Sequence, residues 1–177
     1  PRTTRNVRVG AASIMYLWVL LASASNINAV DVSGQQSGAW RRVDSPIRVV
    51  GTVEVASGTT LTIEPGTVIR SDSYWNNINV RGTLNAIGTA SQVIVFTSTT
   101  DNGGDQWGGI YFHPGSIGVI QQAECRYGGG DAAGMIQINQ ARVTVQNVSF
   151  LNSGEDGIYI SNIIDPQMVS IRQCVFQ

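Results

Sequence analysis

Two tyrosines and a glutamine recur at one position of three similar segments and form the most promising candidate ligand-binding group. The segments are Ile110-Tyr-Phe112, Ile136-Gln-Ile138 and Ile158-Tyr-Ile160. Successive side chains of a β-strand point to opposite faces, so Tyr111, Gln137 and Tyr159 are expected on one outer face. Two aromatic rings and an amide suit stacking and hydrogen bonding along a glycan chain. The alternative is that tyrosine is simply a favourable residue in an exposed strand.

A second group of candidates is acidic and precedes the same three segments. It comprises Asp105, Asp131 and Asp156, the last next to Glu155. Stacked carboxylates at one corner could hold Ca²⁺, which takes several oxygen ligands. The alternative is that aspartate is common in turns because its side chain bonds to nearby backbone. Calcium is the one cofactor that the sequence suggests.

The sequence predicts no catalytic residues in this chain. His113 is the only histidine, precedes Pro114 at a strand end and has no evident partner, so it is interpreted as a surface turn residue. A Ser-His-Asp set cannot be built around it, and no pair of carboxylates suggests a glycoside hydrolase. Lysine is absent, since all 11 basic residues are arginines.

These candidates depend on a repeat that would position them. The first block recurs at Ile110, Ile136 and Ile158, so its copies begin 26 and 22 positions apart. A second block is Val143-Thr-Val145 and Val169-Ser-Ile171, with Val119-Ile120 as a looser earlier copy. The third block is Cys125-Arg-Tyr127, Val148-Ser-Phe150 and Cys174-Val-Phe176.

Three strand blocks in each repeat, with copies 22 to 26 positions apart, predict an all-β, right-handed parallel β-helix, a three-sided solenoid. Each turn would stack on the last at about 4.8 Å. The inward positions of the first block would form buried columns of Ile110, Phe112, Ile136, Ile138, Ile158 and Ile160. An antiparallel barrel or sandwich is the rival, but it predicts hairpin turns instead of a pattern repeating every third strand.

The two cysteines are placed by the same repeat. If Cys125, Val148 and Cys174 are equivalent, the two cysteines lie two turns apart, at about 9.6 Å. That separation is too long for a disulfide. Both are therefore predicted to be reduced core residues.

Composition limits the partners. The net charge is −1 with 12 acidic residues, and three of the 11 arginines, Arg2, Arg5 and Arg8, precede the first apolar run. The rest of the chain has no basic cluster of the kind that binds phosphate backbones or anionic lipid, so neither nucleic acid nor a membrane surface is expected as a partner.

The N-terminal residues have the pattern of an export signal. Three arginines, the apolar stretch 11–22 and the small residues Ala22-Ser-Ala24 predict a signal peptide over 1–24, with cleavage possible as late as 29. The apolar part is shorter than the ~20 residues that span a bilayer, so the mature chain is expected to lack a membrane span. Residues 32–47 are predicted as an N-terminal cap and 47–177 as the coils. The chain opens on Pro1 and stops within a strand pattern, which predicts a fragment of a longer polypeptide with further domains.

Several segments resemble secreted bacterial right-handed parallel β-helix proteins of the pectin-lyase-like superfamily. The resemblance covers roughly residues 34–177 and rests on Gly38-Ala-Trp40, Gly51-Thr-Val-Glu-Val55, Gly58-Thr-Thr-Leu61, Val80-Arg-Gly-Thr-Leu84, Ile94-Val-Phe96, Trp107-Gly-Gly-Ile110 and Asn147-Val-Ser-Phe150. It implies a secreted or cell-surface location. Members range from polysaccharide lyases and hydrolases to adhesive or structural stalks, so the site has to decide the function.

Two functions are therefore expected. The first is a non-catalytic extracellular scaffold or adhesive module that contacts polysaccharide through Tyr111, Gln137 and Tyr159. The alternative is a polysaccharide-active enzyme, a lyase or glycoside hydrolase, whose catalytic coils lie outside this fragment.

Overall fold

The chain folds as a right-handed parallel β-helix of about six turns, as predicted. A computed structural model describes residues 29–131 and 133–177. The predicted signal peptide, residues 1–24, lies outside the described residues. Every pairing between named strands in the described part is parallel.

Within the described residues, fifteen strands form the three sides of the helix, and some bend from one side to the next. The strands in chain order are β1 Val30–Gln35, β2 Gly38–Trp40, β3 Ile47–Val55, β4 Thr60–Ile63, β5 Val68–Ser71, β6 Asn77–Val80, β7 Thr83–Ile87, β8 Ile94–Ser98, β9 Gly109–Phe112, β10 Ile117–Arg126, β11 Gly134–Asn139, β12 Arg142–Leu151, β13 Asp156–Ser161, β14 Val169–Arg172 and β15 Val175–Phe176. The same part of the chain contains two short 3₁₀ helices, Arg42–Asp44 and Pro166–Met168.

The three sides are numbered as sheets. Sheet 1 contains the ends of β1 and β3, then β6, β9, β11 and β13. Sheet 2 contains β2, β4, β7, the starts of β10 and β12, and β14. Sheet 3 contains the starts of β1 and β3, then β5, β8, the ends of β10 and β12, and β15.

The core fills the interior between the sheets because each strand alternates apolar and polar residues. The inward residues of successive turns form columns, such as Val53, Ile78, Ile110, Ile136 and Ile158 in sheet 1. The first four of these are at most 1% exposed. Burying a side chain of this size stabilises the fold by about 1.5–3 kcal/mol.

The inward positions predicted for the first block are confirmed for the inner turns. Ile110, Phe112, Ile136 and Ile138 are buried, whereas Ile160 of β13 is 41% exposed. Among the described strands, β13 pairs with β11 alone, so its inward residues lack the cover that a following strand gives the others. In the segment predicted as a cap, β1 pairs with β3 and β2 with β4, so both strands extend the sheets of the helix. A capping role for this segment stays a prediction.

The predicted repeat of 22 to 26 positions per turn holds only for part of the helix. The paired residues Asn79 and Tyr111 are 32 positions apart, and Gln35 and Glu54 are 19 apart. The long turn contains the loop between β8 and β9, whose Gln106 side chain bonds Thr100 and Asn102. The extra residues lie in this loop, and the pairing of β6 with β9 keeps an unbroken register.

The predicted equivalence of Cys125 and Cys174 is wrong by two residues. Cys125 pairs with Phe150, and Phe150 with Phe176, whereas Val148 pairs with Ala123. The error arises because Tyr127, which the sequence pattern matches to Phe150, lies beyond β10 with a φ of 58°. Both cysteines are nonetheless free thiols, as predicted.

We expect thiol reagents to modify Cys174 in the folded protein well before Cys125. Cys125 is fully buried, and burial raises the pKa of its thiol, with a smaller effect from Glu124. Cys174 is only partly buried. Mass spectrometry of iodoacetamide-labelled peptides measures both rates; equal rates in buffer would contradict the buried position of Cys125, and equal rates in urea are the control.

Candidate functional site

The outward residues of sheet 1 form one column that crosses the turns. Glu54 pairs with Asn79, Asn79 with Tyr111, Tyr111 with Gln137, and Gln137 with Tyr159. The structure therefore brings Tyr111, Gln137 and Tyr159 together on adjacent strands, as the alternation predicts. Contact with carbohydrate itself stays a prediction.

A second outward column lies beside the first. The register places Arg81 after β6, His113 after β9 and Asn139 at the end of β11 at equivalent positions. The two columns together, Glu54, Asn79, Arg81, Tyr111, His113, Gln137, Asn139 and Tyr159, are called the sheet 1 face below.

Side chains of the two columns are bonded to each other across the strands. Arg81 Nε lies 2.7 Å from Glu54 Oε1, and Asn139 Nδ2 donates to the Tyr111 hydroxyl at 3.1 Å. Asn162 Nδ2 in turn donates to Asn139 Oδ1 at 3.1 Å. These contacts restrain side chains that reach toward solvent. The face therefore loses less conformational entropy on binding a ligand than it would with unrestrained side chains.

His113 is part of this network, which corrects its interpretation as a turn residue without a partner. Its ring centroid lies 4.0 Å from that of Tyr111, and its Nε2 is 3.3 Å from Asn79 Oδ1. Partial burial lowers the pKa of His113 below its ordinary value of 6.5, and Arg81 lowers it further, against a smaller opposing effect of Glu54. The lowered pKa favours the neutral imidazole at pH 7.

We expect the protein to lose stability as the pH falls below about 6.5, through His113. The lowered pKa in the folded state means that the unfolded chain binds the proton more readily, so the free energy of unfolding rises with pH across this window. His113→Gln should flatten the dependence between pH 7 and 5. Urea unfolding at each pH measures it; an identical slope in the variant would show that other groups dominate.

The predicted calcium residues are not assembled into one cluster. The described residues contain no group of three or more histidine, cysteine, aspartate or glutamate side chains that could hold a metal ion. Asp131 Oδ2 is 3.5 Å from Asn77 Nδ2, the Asp105 carboxylate lies against Gly154, and Asp156 begins β13 opposite Gly134. The three carboxylates thus contact different neighbours and do not share one site.

Sequence reasoning missed five residues of the face: Glu54, Asn79, Arg81, His113 and Asn139. Glu54 and Asn79 belong to earlier turns, whose blocks the sequence repeat does not align with Tyr111. A signal was present, because Val53-Glu-Val55 and Ile78-Asn-Val80 have the same apolar-polar-apolar pattern as Ile110-Tyr-Phe112. The interval of 32 positions from Asn79 to Tyr111 hid the repeat.

The stacked parallel turns and the open polar side define the class of protein as a parallel β-helix. The family described as pectate-lyase like beta helix domain matches residues 42–138, more than half of the chain. The chain belongs to this family. No curated protein and no solved structure gave a significant match. No helix among the described residues is long and apolar enough to cross a membrane.

Proposed function

We propose that this chain is an extracellular, non-catalytic scaffold or adhesive module that contacts polysaccharide through the sheet 1 face. The observation that carries the proposal is the register of Tyr111, Gln137 and Tyr159 in one outward column. Membership of the pectate-lyase-like β-helix family supports an extracellular, carbohydrate-related role. The predicted export signal supports the same location.

The dimensions of the face suit an extended chain of sugars. Five strands from β3 to β13 contribute to the first column, and strands spaced about 4.8 Å apart give it a length of about 19 Å. Tyr159 is 41% exposed, so its ring is open to stacking on a sugar. The amides of Asn79, Gln137 and Asn139 both donate and accept, which matches the hydroxyl groups of a glycan.

A glycan array tests the proposal directly. We expect the protein to bind a subset of extracellular polysaccharides, with an affinity that alanine at both Tyr111 and Tyr159 strongly reduces. The proposal fails if no array glycan is bound, or if both replacements leave the affinity unchanged.

One observation favours a second candidate, polysaccharide cleavage. The His113 imidazole lies against the Tyr111 ring, and its lowered pKa favours the form that can accept a proton, while a phenol can donate one. Incubation with each bound polysaccharide, followed by assays for new reducing ends and for unsaturated products, tests this candidate. Product formation that His113→Gln abolishes would favour the enzyme over the scaffold.

A further inference from the structure

The corner between β5 and β6 holds an exposed aromatic pair next to the sheet 1 face. Trp75 is 65% exposed and Tyr74 is 40% exposed, whereas Trp40 and Trp107 are buried. The two rings are 4.7 Å apart and meet edge to face at 73°. Exposed aromatic surface of this kind does not stabilise the folded chain.

A buried asparagine anchors the corner in place. Asn76 is 8% exposed, and its Nδ2 donates to the Val49 carbonyl at 3.1 Å and to Asp72 Oδ1 at 2.9 Å. The Trp75 amide donates to Ser73 Oγ at 3.3 Å. Trp75 therefore lies on a loop whose residues on either side of it are held by hydrogen bonds, while its own side chain is exposed.

Tyr74 is restrained from the other side by a glycine. A Cβ atom at Gly130, in the corner between β10 and β11, would lie 2.7 Å from Tyr74 Cδ2. The ring thus rests on backbone where only glycine leaves room. This contact fixes the ring against which the Trp75 indole packs.

Polar groups lie beside the aromatic pair. Asn77 Nδ2 is 3.4 Å from the Trp75 carbonyl and 3.5 Å from Asp131 Oδ2, and Asp131 is exposed. The salt bridges found in the described part of the chain do not include Asp131. Asn77 precedes Asn79 by two residues in β6, so the corner continues onto the sheet 1 face at a distance of about 6.6 Å.

We propose that Tyr74, Trp75, Asn77 and Asp131 form an additional subsite that binds one neutral pyranose ring of the glycan on the sheet 1 face. The indole offers a flat apolar surface for the C–H side of a sugar ring, and the amide and carboxylate offer partners for its hydroxyls. The Asp131 charge opposes a uronate or phosphate ligand at this position. The surface of two aromatic rings is also far smaller than the ~1,000 Å² that a stable protein interface buries, which argues against a protein partner at this corner.

The subsite rests on the proposed function, because it extends the same glycan-binding face. Neutral hexose oligosaccharides of increasing length, with oligogalacturonates as the acidic series, are titrated while tryptophan fluorescence and heat of binding are recorded. The buried environment of Trp40 and Trp107 makes Trp75 the main reporter among the described tryptophans. The variants are Trp75→Ala, Trp75→Phe and, as a control, Ile117→Ala, which removes exposed apolar surface from sheet 2.

We expect neutral oligosaccharides to change the fluorescence and Trp75→Ala to weaken their binding about tenfold, which is the effect of losing one good aromatic contact. Trp75→Phe should retain part of the affinity, and Ile117→Ala all of it. Glycan binding that needs Tyr111 and Tyr159 but is unchanged in Trp75→Ala would overturn the subsite and leave the proposed function intact. Binding of the acidic series alone would overturn the neutral specificity. Absence of binding to every glycan would overturn the proposed function together with the subsite.

Discussion

Replacing Phe112 by alanine should lower the free energy of unfolding by about 3–5 kcal/mol, the usual cost of removing a buried phenylalanine. Phe112 is fully buried and lies in the sheet 1 core column between Val80 and Ile138. Its loss leaves a cavity that neighbouring turns cannot close, because the strands on both sides fix the backbone. Urea unfolding followed by circular dichroism measures the change.

Gly118 supplies the control for this variant. A Cβ atom at Gly118 would overlap Phe112 Cε1, so the glycine leaves the space that the ring fills. Gly118→Val alone should lower the free energy of unfolding by about 1–3 kcal/mol through overpacking. Combined with Phe112→Ala, the same valine should restore part of the lost stability, and strictly additive effects would contradict the contact.

Alanine at both Tyr111 and Tyr159 should weaken glycan binding by about 100-fold, because the half-buried Tyr111 ring and the exposed Tyr159 ring each contribute on the order of a tenfold effect through stacking. Isothermal titration with the best glycan from the array measures the change. Tyr111→Phe keeps the ring but removes the hydroxyl that accepts from Asn139 Nδ2 at 3.1 Å. This variant therefore separates the contribution of ring stacking to the affinity from the contribution of the hydrogen bond to Asn139.

The double variant is compared with Ile117→Ala, which alters an exposed residue of sheet 2. Circular dichroism should show all of these variants folded, since the replaced side chains lie on the outside of the helix. If Ile117→Ala reduces the affinity as much as the double variant does, the sheet 1 face is not the binding surface.

Much of the fold could be predicted from the sequence because the residues of the core columns alternate with polar residues along each strand. The blocks around Ile110, Ile136 and Ile158 pair in the predicted register. The third block failed because the sequence pattern matches Tyr127 to Phe150, although Tyr127 lies beyond the end of β10 with a φ of 58°. Alternation does not show where a strand ends, so the sequence pattern aligns Cys125 two residues from its true partner.

The candidate site could be predicted only where turns of similar length follow one another. Tyr111, Gln137 and Tyr159 could be found because they lie 26 and 22 positions apart, close to a regular repeat. His113 could not be placed, since its contact with Asn79 depends on a strand 34 residues earlier in the chain. The exposed Trp75 corner likewise depends on Gly130 and Asp131, which only the stacking of turns brings near.

The chemical shifts of backbone amides during titration with the bound glycan test whether the sheet 1 face is the binding surface. We expect changes concentrated on β6, β9, β11 and β13, at Asn79, Tyr111, Gln137 and Tyr159, with little change on sheets 2 and 3. Changes centred on sheet 2 or sheet 3, with the sheet 1 residues unaffected, would contradict this expectation.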